Sequence, residues 1–213
     1  MTQTYPDHPN LNDNYAPLRM ECEVNDLIVE GEIPQDLYGS FYRNGPDPQF
    51  PPLGQYHWFG GDGMVHAFHF ENGKISYLNR WSKTSKWLQE RKAGKSLIDG
   101  LNPMNSDPQW NPEGSDGTAN TNIIFHAGKL LALEEGHVPF ELDPITLESK
   151  GAYDYGGKLK SPMTAHPKID PVSGDMYGFS YTAENFFSSK MSYFVINSVG
   201  ELKTYEEFEA PFA

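Results

Sequence analysis

From Asn25 onward the chain is a run of short apolar segments, each cut off by residues that force a tight turn. Glu71-Asn-Gly-Lys74 separates His66-Ala-Phe-His-Phe70 from Ile75-Ser-Tyr-Leu78. His126-Ala-Gly-Lys129 separates Asn122-Ile-Ile-Phe125 from Leu130-Leu-Ala-Leu133. Asp143-Pro-Ile-Thr146, Asp170-Pro-Val-Ser-Gly-Asp175 and Asn197-Ser-Val-Gly200 repeat the device. Asn-Gly supplies the positive φ that two-residue hairpins need, and Asp-Pro pre-sets the turn. Segments this short cannot build long helices, so the expected class is all-β, made of hairpins. Only residues 82–99, around Lys86-Trp-Leu-Gln-Glu-Arg-Lys92, read as a short helix. Asn102 to Gly117 is rich in Pro, Gly, Asn and Asp and reads as a long loop, a kind usually functional or disordered.

Residues 1–22 are polar and rich in Pro and Asn, and read as an N-terminal arm. Residues 23–213 form the remaining unit. The turns between Asp143 and Asn197 recur at the spacing of a β-repeat array, so a β-propeller is expected, with a β-sandwich as the alternative. A blade takes roughly 40–50 residues, so this chain holds about four at most. A part-ring leaves strand edges open, where a closed propeller hides them.

Charge and composition narrow the partners. The formal net charge is −13, which repels a phosphate backbone and argues against nucleic acid. The single cysteine, Cys22, excludes an internal disulfide framework and suits a reducing cytoplasm. The opening Met1-Thr-Gln-Thr-Tyr-Pro6 lacks the pattern of a signal peptide, and no apolar run is long enough to span a bilayer. A soluble chain is expected, with docking on a membrane surface left open.

Seven histidines are candidates for chemistry. His8 lies in the polar arm and reads as a surface residue. His57, His66 and His69 cluster, but positions three apart on a strand face opposite ways, so His66 and His69 cannot share one ion. His126 falls in a hairpin turn and His137 follows Gly136 in a loop, where solvated side chains are the rule. His166 stands between Pro162 and Pro167 in Ser161-Pro-Met-Thr-Ala-His166-Pro-Lys-Ile-Asp170, and those prolines stiffen its backbone. A lone histidine before proline is more often structural than a ligand, and the residues alone leave both readings open.

Four stretches together resemble the carotenoid cleavage oxygenase family, which includes apocarotenoid and stilbene cleavers. They are Gly39-Ser-Phe-Tyr-Arg-Asn-Gly-Pro46; His57-Trp-Phe-Gly-Gly-Asp-Gly-Met-Val-His66, continuing to Asn79-Arg80; Thr118-Ala-Asn-Thr-Asn122 with Gly128-Lys-Leu-Leu-Ala-Leu-Glu-Glu-Gly136 and Glu141-Leu-Asp-Pro144; and Ala165-His-Pro-Lys-Ile-Asp170. The likeness runs from about Asn25 to the last residue. It implies a seven-bladed β-propeller, of which this chain would be roughly the first half. The axis of that propeller holds one Fe(II) on four histidines, and His166 corresponds to the first. The second follows a segment similar to Glu209-Ala-Pro-Phe-Ala213, so the chain reads as an N-terminal portion truncated before the other three, and inactive by itself. Neutral imidazoles suit ferrous iron, and glutamates that accept the other ring N–H orient them. Glu135 matches one such glutamate, whose family partner is a histidine beyond Ala213; with no family pattern it reads as an exposed strand-end acid.

The resemblance also speaks to substrate. Stilbene cleavers hold a phenol hydroxyl with a tyrosine and a lysine; here those positions align with Leu101 and Glu134. Leu101 has no hydroxyl and Glu134 has the wrong charge, so a lipophilic polyene is expected over a stilbene. Phe59 resembles an aromatic near the iron, or else is a core aromatic on a strand. The implied reaction joins O2 to a carbon–carbon double bond and gives two carbonyl products, with Fe(II) as the one cofactor. The same resemblance includes an isomerase branch, and a non-enzymatic propeller that binds lipid or protein is the competing class.

Overall fold

The computed structural model describes residues 4–99, 102–181, 183–184 and 188–210. Its described residues form three four-stranded antiparallel sheets. The first holds β1 (Cys22–Val24), β2 (Gly39–Pro46), β3 (Gly63–Glu71) and β4 (Lys74–Trp81), in the order β1-β4-β3-β2. The second is the sequential meander β5 (Asn122–His126), β6 (Lys129–Leu133), β7 (Phe140–Leu142) and β8 (Ser149–Ala152). The third is likewise β9 (Lys168–Ile169), β10 (Met176–Ser180), β11 (Lys190–Ile196) and β12 (Leu202–Glu209).

The turns behave as their residues demand. Asn72 and Gly73 have φ of 52° and 71°, and Ala127 and Gly128 have 50° and 76°, so both hairpins carry two positive-φ residues. The Asp143 carboxylate accepts from the amides of Ile145 and Thr146, both at 3.0 Å. Asp170 does the same for Val172 at 2.7 Å and Ser173 at 3.2 Å.

The second sheet is the middle layer, and its sequence says why. In Lys129-Leu-Leu-Ala-Leu133, Leu130 and Ala132 pack with Val65, Ala67 and Leu78 of the first sheet. Leu131 and Leu133 pack with Met176, Phe194 and Ile196 of the third. A strand buried on both faces has no polar side, so its apolar run is unbroken. β10 has one covered face and alternates buried and exposed residues along its length.

The helix is shorter than residues 82–99. α1 spans Ser85–Ala93. Thr84 caps it by accepting from the Trp87 amide, and Gly94 ends it in the left-handed region at φ 70°. The long loop contains one 3₁₀ turn, Pro103–Asn105, and is tied back to α1. Ser85 donates its amide to Asp116 at 2.6 Å, and Gln89 exchanges two hydrogen bonds with the Asn111 backbone at 3.0 Å. The arm is not free of the body either: Leu11 is buried, and the Tyr5 hydroxyl donates to the Pro48 carbonyl at 2.6 Å. Cys22 already belongs to β1. No described helix is long and apolar enough to cross a membrane.

Candidate functional site

One end of the second and third sheets gathers the polar residues of interest. Glu134 and Glu135 follow β6 directly, His166 stands two residues before β9, and Tyr181 follows β10. The Thr164 amide donates to the Phe179 carbonyl at 2.8 Å, so the lead-in to β9 runs beside the end of β10. The Met163 amide donates to the His137 carbonyl at 3.0 Å and pins the same lead-in to the loop after β6.

His166 is held from below. Met163, Thr164 and Ala165 are buried, while the His166 side chain is 63% exposed. The Thr164 hydroxyl oxygen accepts from the His166 amide at 3.1 Å, and Pro167 disfavours helical backbone at His166. Ala165 is anchored by its carbonyl, which accepts from the Asn122 side-chain amide at 2.7 Å. The Asn44 amide in turn donates to the carbonyls of Asn122 at 3.0 Å and Ala119 at 2.8 Å. An asparagine relay therefore links β2, β5 and the His166 segment across three sheets.

The His166 Nε2 lies 3.9 Å from a Glu135 carboxylate oxygen, within range of charge attraction but beyond a hydrogen bond. The Tyr181 hydroxyl hydrogen-bonds Glu135; burial, then the charges of Glu135 and Glu134, push its pKa up. Glu134 accepts from His137 Nδ1 and from the Gly136 amide at 2.9 Å. Burial works against the His137 proton, but the hydrogen bond and charge of Glu134, with Asp116 beyond, hold the imidazole pKa above its ordinary value. His137 is thus a half-buried, paired residue and not a solvated one.

Other expectations resolve on the same basis. His126 is buried, with Nε2 2.9 Å from the Gly174 carbonyl, because its hairpin packs against the Asp170–Asp175 turn. It too is not solvated. His66 and His69 face opposite ways on an unbroken β3, bonded to Tyr77 at 2.7 Å and Ser40 at 2.6 Å. Phe59 is neither in the core nor on a strand. It sits in the 3₁₀ turn Trp58–Gly60, 75% exposed, with its ring against His57 and its carbonyl accepting from Asn120 at 3.0 Å. Leu101 lies outside the described residues.

Among the described residues no three His, Cys, Asp or Glu side chains converge to hold a metal. One outward imidazole with a carboxylate beside it fits a corner of a metal centre, not a closed one. The sequence carries no local signal for Tyr181 or the Asn44–Asn122 relay, and His137, read there as solvated, is paired instead. Asn122 lay inside a quoted motif, but its partner is 43 residues away.

The family model for the retinal pigment epithelial membrane protein matches residues 15–213. The chain belongs to this family, the carotenoid cleavage oxygenases. A lignostilbene-alpha,beta-dioxygenase isozyme III of Sphingomonas paucimobilis is 44% identical over 98% of the chain and 43% of its own length. A probable chloroplastic carotenoid cleavage dioxygenase 4 of Arabidopsis thaliana is 36% identical over 90% of the chain and 35% of its own length. The crystal structure of Pseudomonas brassicacearum lignostilbene dioxygenase superposes with a TM-score of 0.93 at 40% identity, over 100% of this chain and 45% of that one. The chain therefore spans less than half the length of these relatives, which are named as lignostilbene and carotenoid cleavage dioxygenases.

Proposed function

We propose that this chain is the His166-bearing part of a ferrous oxygenase that cleaves a carbon–carbon double bond with O2 into two carbonyl products. The observation that carries the reading is the His166 ring. Its backbone is locked by buried neighbours and the asparagine relay, while its Nε2 points outward beside Glu135. A ligand imidazole needs this combination of fixed backbone and accessible nitrogen. In this reading His166 holds iron, Glu135 orients an imidazole, and the three further donors lie outside the 213 residues. The three sheets are then consecutive blades of a seven-bladed propeller, with residues 23–213 as its first part and 1–22 as an arm packed on it. Iron bound there supplies O2 activation; the protein's own groups fix the ligand and exclude side reactions.

Substrate is read at the level of a conjugated double bond. The Glu134 charge is engaged by His137 and the Gly136 amide and so weighs less against a stilbene. Similarity to a lignostilbene dioxygenase supports an aryl-conjugated alkene as strongly as the carotenoid relative supports a polyene. Phe59, exposed beside the second-sheet lead-in, is available as an apolar substrate contact.

The test is the full-length protein with Fe(II), O2 and a panel of stilbenes, aryl propenes and apocarotenoids, read by chromatography and mass spectrometry. Paired aldehyde or ketone products are expected from at least one class, and His166→Ala should lose both product and iron. Full turnover by the His166→Ala protein would sink the assignment. The 213-residue chain alone should purify without stoichiometric iron by elemental analysis.

A further inference from the structure

We propose that Asn120 is a positioning residue: its side-chain amide clamps the Trp58–Gly60 turn and so presents the Phe59 ring as a fixed aromatic wall at the His166 end of the sheets, where it sets affinity for the unsaturated substrate. The substrate half of this inference rests on the oxygenase reading above; the clamp does not. Phe59 is 75% exposed, so burial of its ring does not hold the turn. Polar contacts to the turn's backbone do. The Asn120 side-chain NH2 donates to the carbonyls of Gly61 at 2.7 Å and Phe59 at 3.0 Å, with that of Trp58 at 3.4 Å. The Asn120 side-chain oxygen accepts from the Thr121 hydroxyl at 2.9 Å, which fixes the end of the amide that meets the turn. Asn120 itself is 3% exposed.

The surroundings complete the clamp. His57 Nδ1 accepts from the Phe59 amide at 3.2 Å, and the two rings lie 4.5 Å apart at 68°. Trp58 is taken up by Tyr15 of the arm, 4.9 Å away, which leaves Phe59 as the open ring of the turn. A Cβ on Gly61 would sit 2.7 Å from the Tyr56 hydroxyl, so only glycine lets the turn come this close. Ala119 is buried at a φ of 50°, a conformation that a residue with a side chain keeps only where its surroundings impose it. One residue after Asn120, the Thr121 amide donates to the Leu133 carbonyl at 2.9 Å, immediately before Glu134 and Glu135. Asn120 thus ties the Phe59 turn to the strand end whose Glu135 stands 3.9 Å from His166. A ring already held in place loses little freedom when a flat conjugated ligand packs on it, so the clamp acts on affinity. A contact away from the reacting double bond is made equally in ground and transition states, so its loss raises KM and spares kcat.

In the full-length protein with Fe(II) and O2, Asn120→Ala should raise KM roughly three- to tenfold for the substrate class that is turned over, with kcat within about twofold. Phe59→Ala should do the same. The double variant should be no worse than Phe59→Ala alone, because the amide acts through that ring. An asparagine that merely supports the fold would lower kcat through loss of folded enzyme, and its effect would add to that of Phe59→Ala. In the 213-residue chain, Asn120→Ala should speed hydrogen exchange roughly tenfold at the Gly60 and Gly61 amides, which bond the His57 and Trp58 carbonyls, and leave the β6 and β11 ladders unchanged. Parent-like KM in Asn120→Ala, additive losses in the double variant, or unaltered exchange at Gly60 and Gly61 would each overturn the proposal. Absence of product from the parent protein across the substrate panel would remove the oxygenase reading and the substrate half with it, and the exchange rates would still decide the clamp.

Discussion

The Asn122 side-chain amide donates to the Ala165 carbonyl at 2.7 Å, across 43 residues of sequence, and so fixes the backbone immediately before His166. Asn122→Ala removes the donor and leaves a carbonyl of a buried residue unsatisfied. The expected cost is about 1–3 kcal/mol in urea denaturation. Amide exchange at residues 166–169 should accelerate more than in the first sheet. Uniform acceleration everywhere would mean that the bond acts on global stability alone.

Lys86 lies between two buried carboxylates. Its Nζ donates to Asp62 and Glu90, both at 2.8 Å, with the side chains of all three at 7% exposure or less. Asp62 also accepts from the Gln49 amide at 3.0 Å, and Glu90 from the Leu97 amide at 2.9 Å. Lys86→Met leaves two carboxylates facing each other out of water. The predicted loss is about 3–5 kcal/mol of unfolding free energy, and adding Glu90→Gln should recover part of it. A Lys86→Met protein as stable as the parent would show that these carboxylates reach water.

The hairpins were legible in the sequence because their causes are local: Asn72-Gly73 and Asp170 act within a few residues. The ends of the helix followed from capping by Thr84 and Gly94, which the wider window of 82–99 passed over. The family's glycine-rich motif could be seen but not explained. A Cβ on Gly63 would sit 2.2 Å from the Ala119 carbonyl oxygen, and Asp62 serves a lysine on α1. Both reasons depend on which segments meet. The same holds at the site. His166 was found by resemblance, but Tyr181 meets Glu135 only because the ends of β6 and β10 adjoin, and the Glu134–His137 pair, though three residues apart, depends on how the loop after β6 turns. Burial of His126 likewise needed the neighbouring turn of the third sheet.

The Glu134–His137 pair should give a pH signature. Burial alone would lower the His137 pKa, but the hydrogen bond and charge of Glu134 hold it above the ordinary histidine value. A raised cationic pKa stabilises the fold below the unfolded value near 6.5, and the contribution fades as pH rises through the folded value. Glu134→Gln should therefore lower the His137 titration midpoint by NMR. It should also cost about 1 kcal/mol near pH 6 and markedly less near pH 8.5. An unchanged midpoint would mean that the pair does not form in solution.

Asp47 runs with the opposite sign to most carboxylates. It is 8% exposed, and burial raises its pKa to about 6, with the charge of Asp62 adding to the effect and the Leu18 and Arg19 amides opposing it. One carboxylate oxygen accepts from the Leu18 amide at 3.1 Å; the other has no partner among the described residues. Because the folded value lies above the unfolded one, the protonated form favours the fold. Its stabilising contribution is full below about pH 4 and is lost as pH rises through about 6. At pH 8 the fold therefore carries an ionised, poorly partnered carboxylate. Asp47→Asn keeps an acceptor for the Leu18 amide and removes the charge. It should raise stability by about 1–3 kcal/mol at pH 8, a gain that narrows towards pH 4 in paired urea denaturations. The narrowing is the diagnostic feature, since an improved packing contact would give the same gain at both pH values.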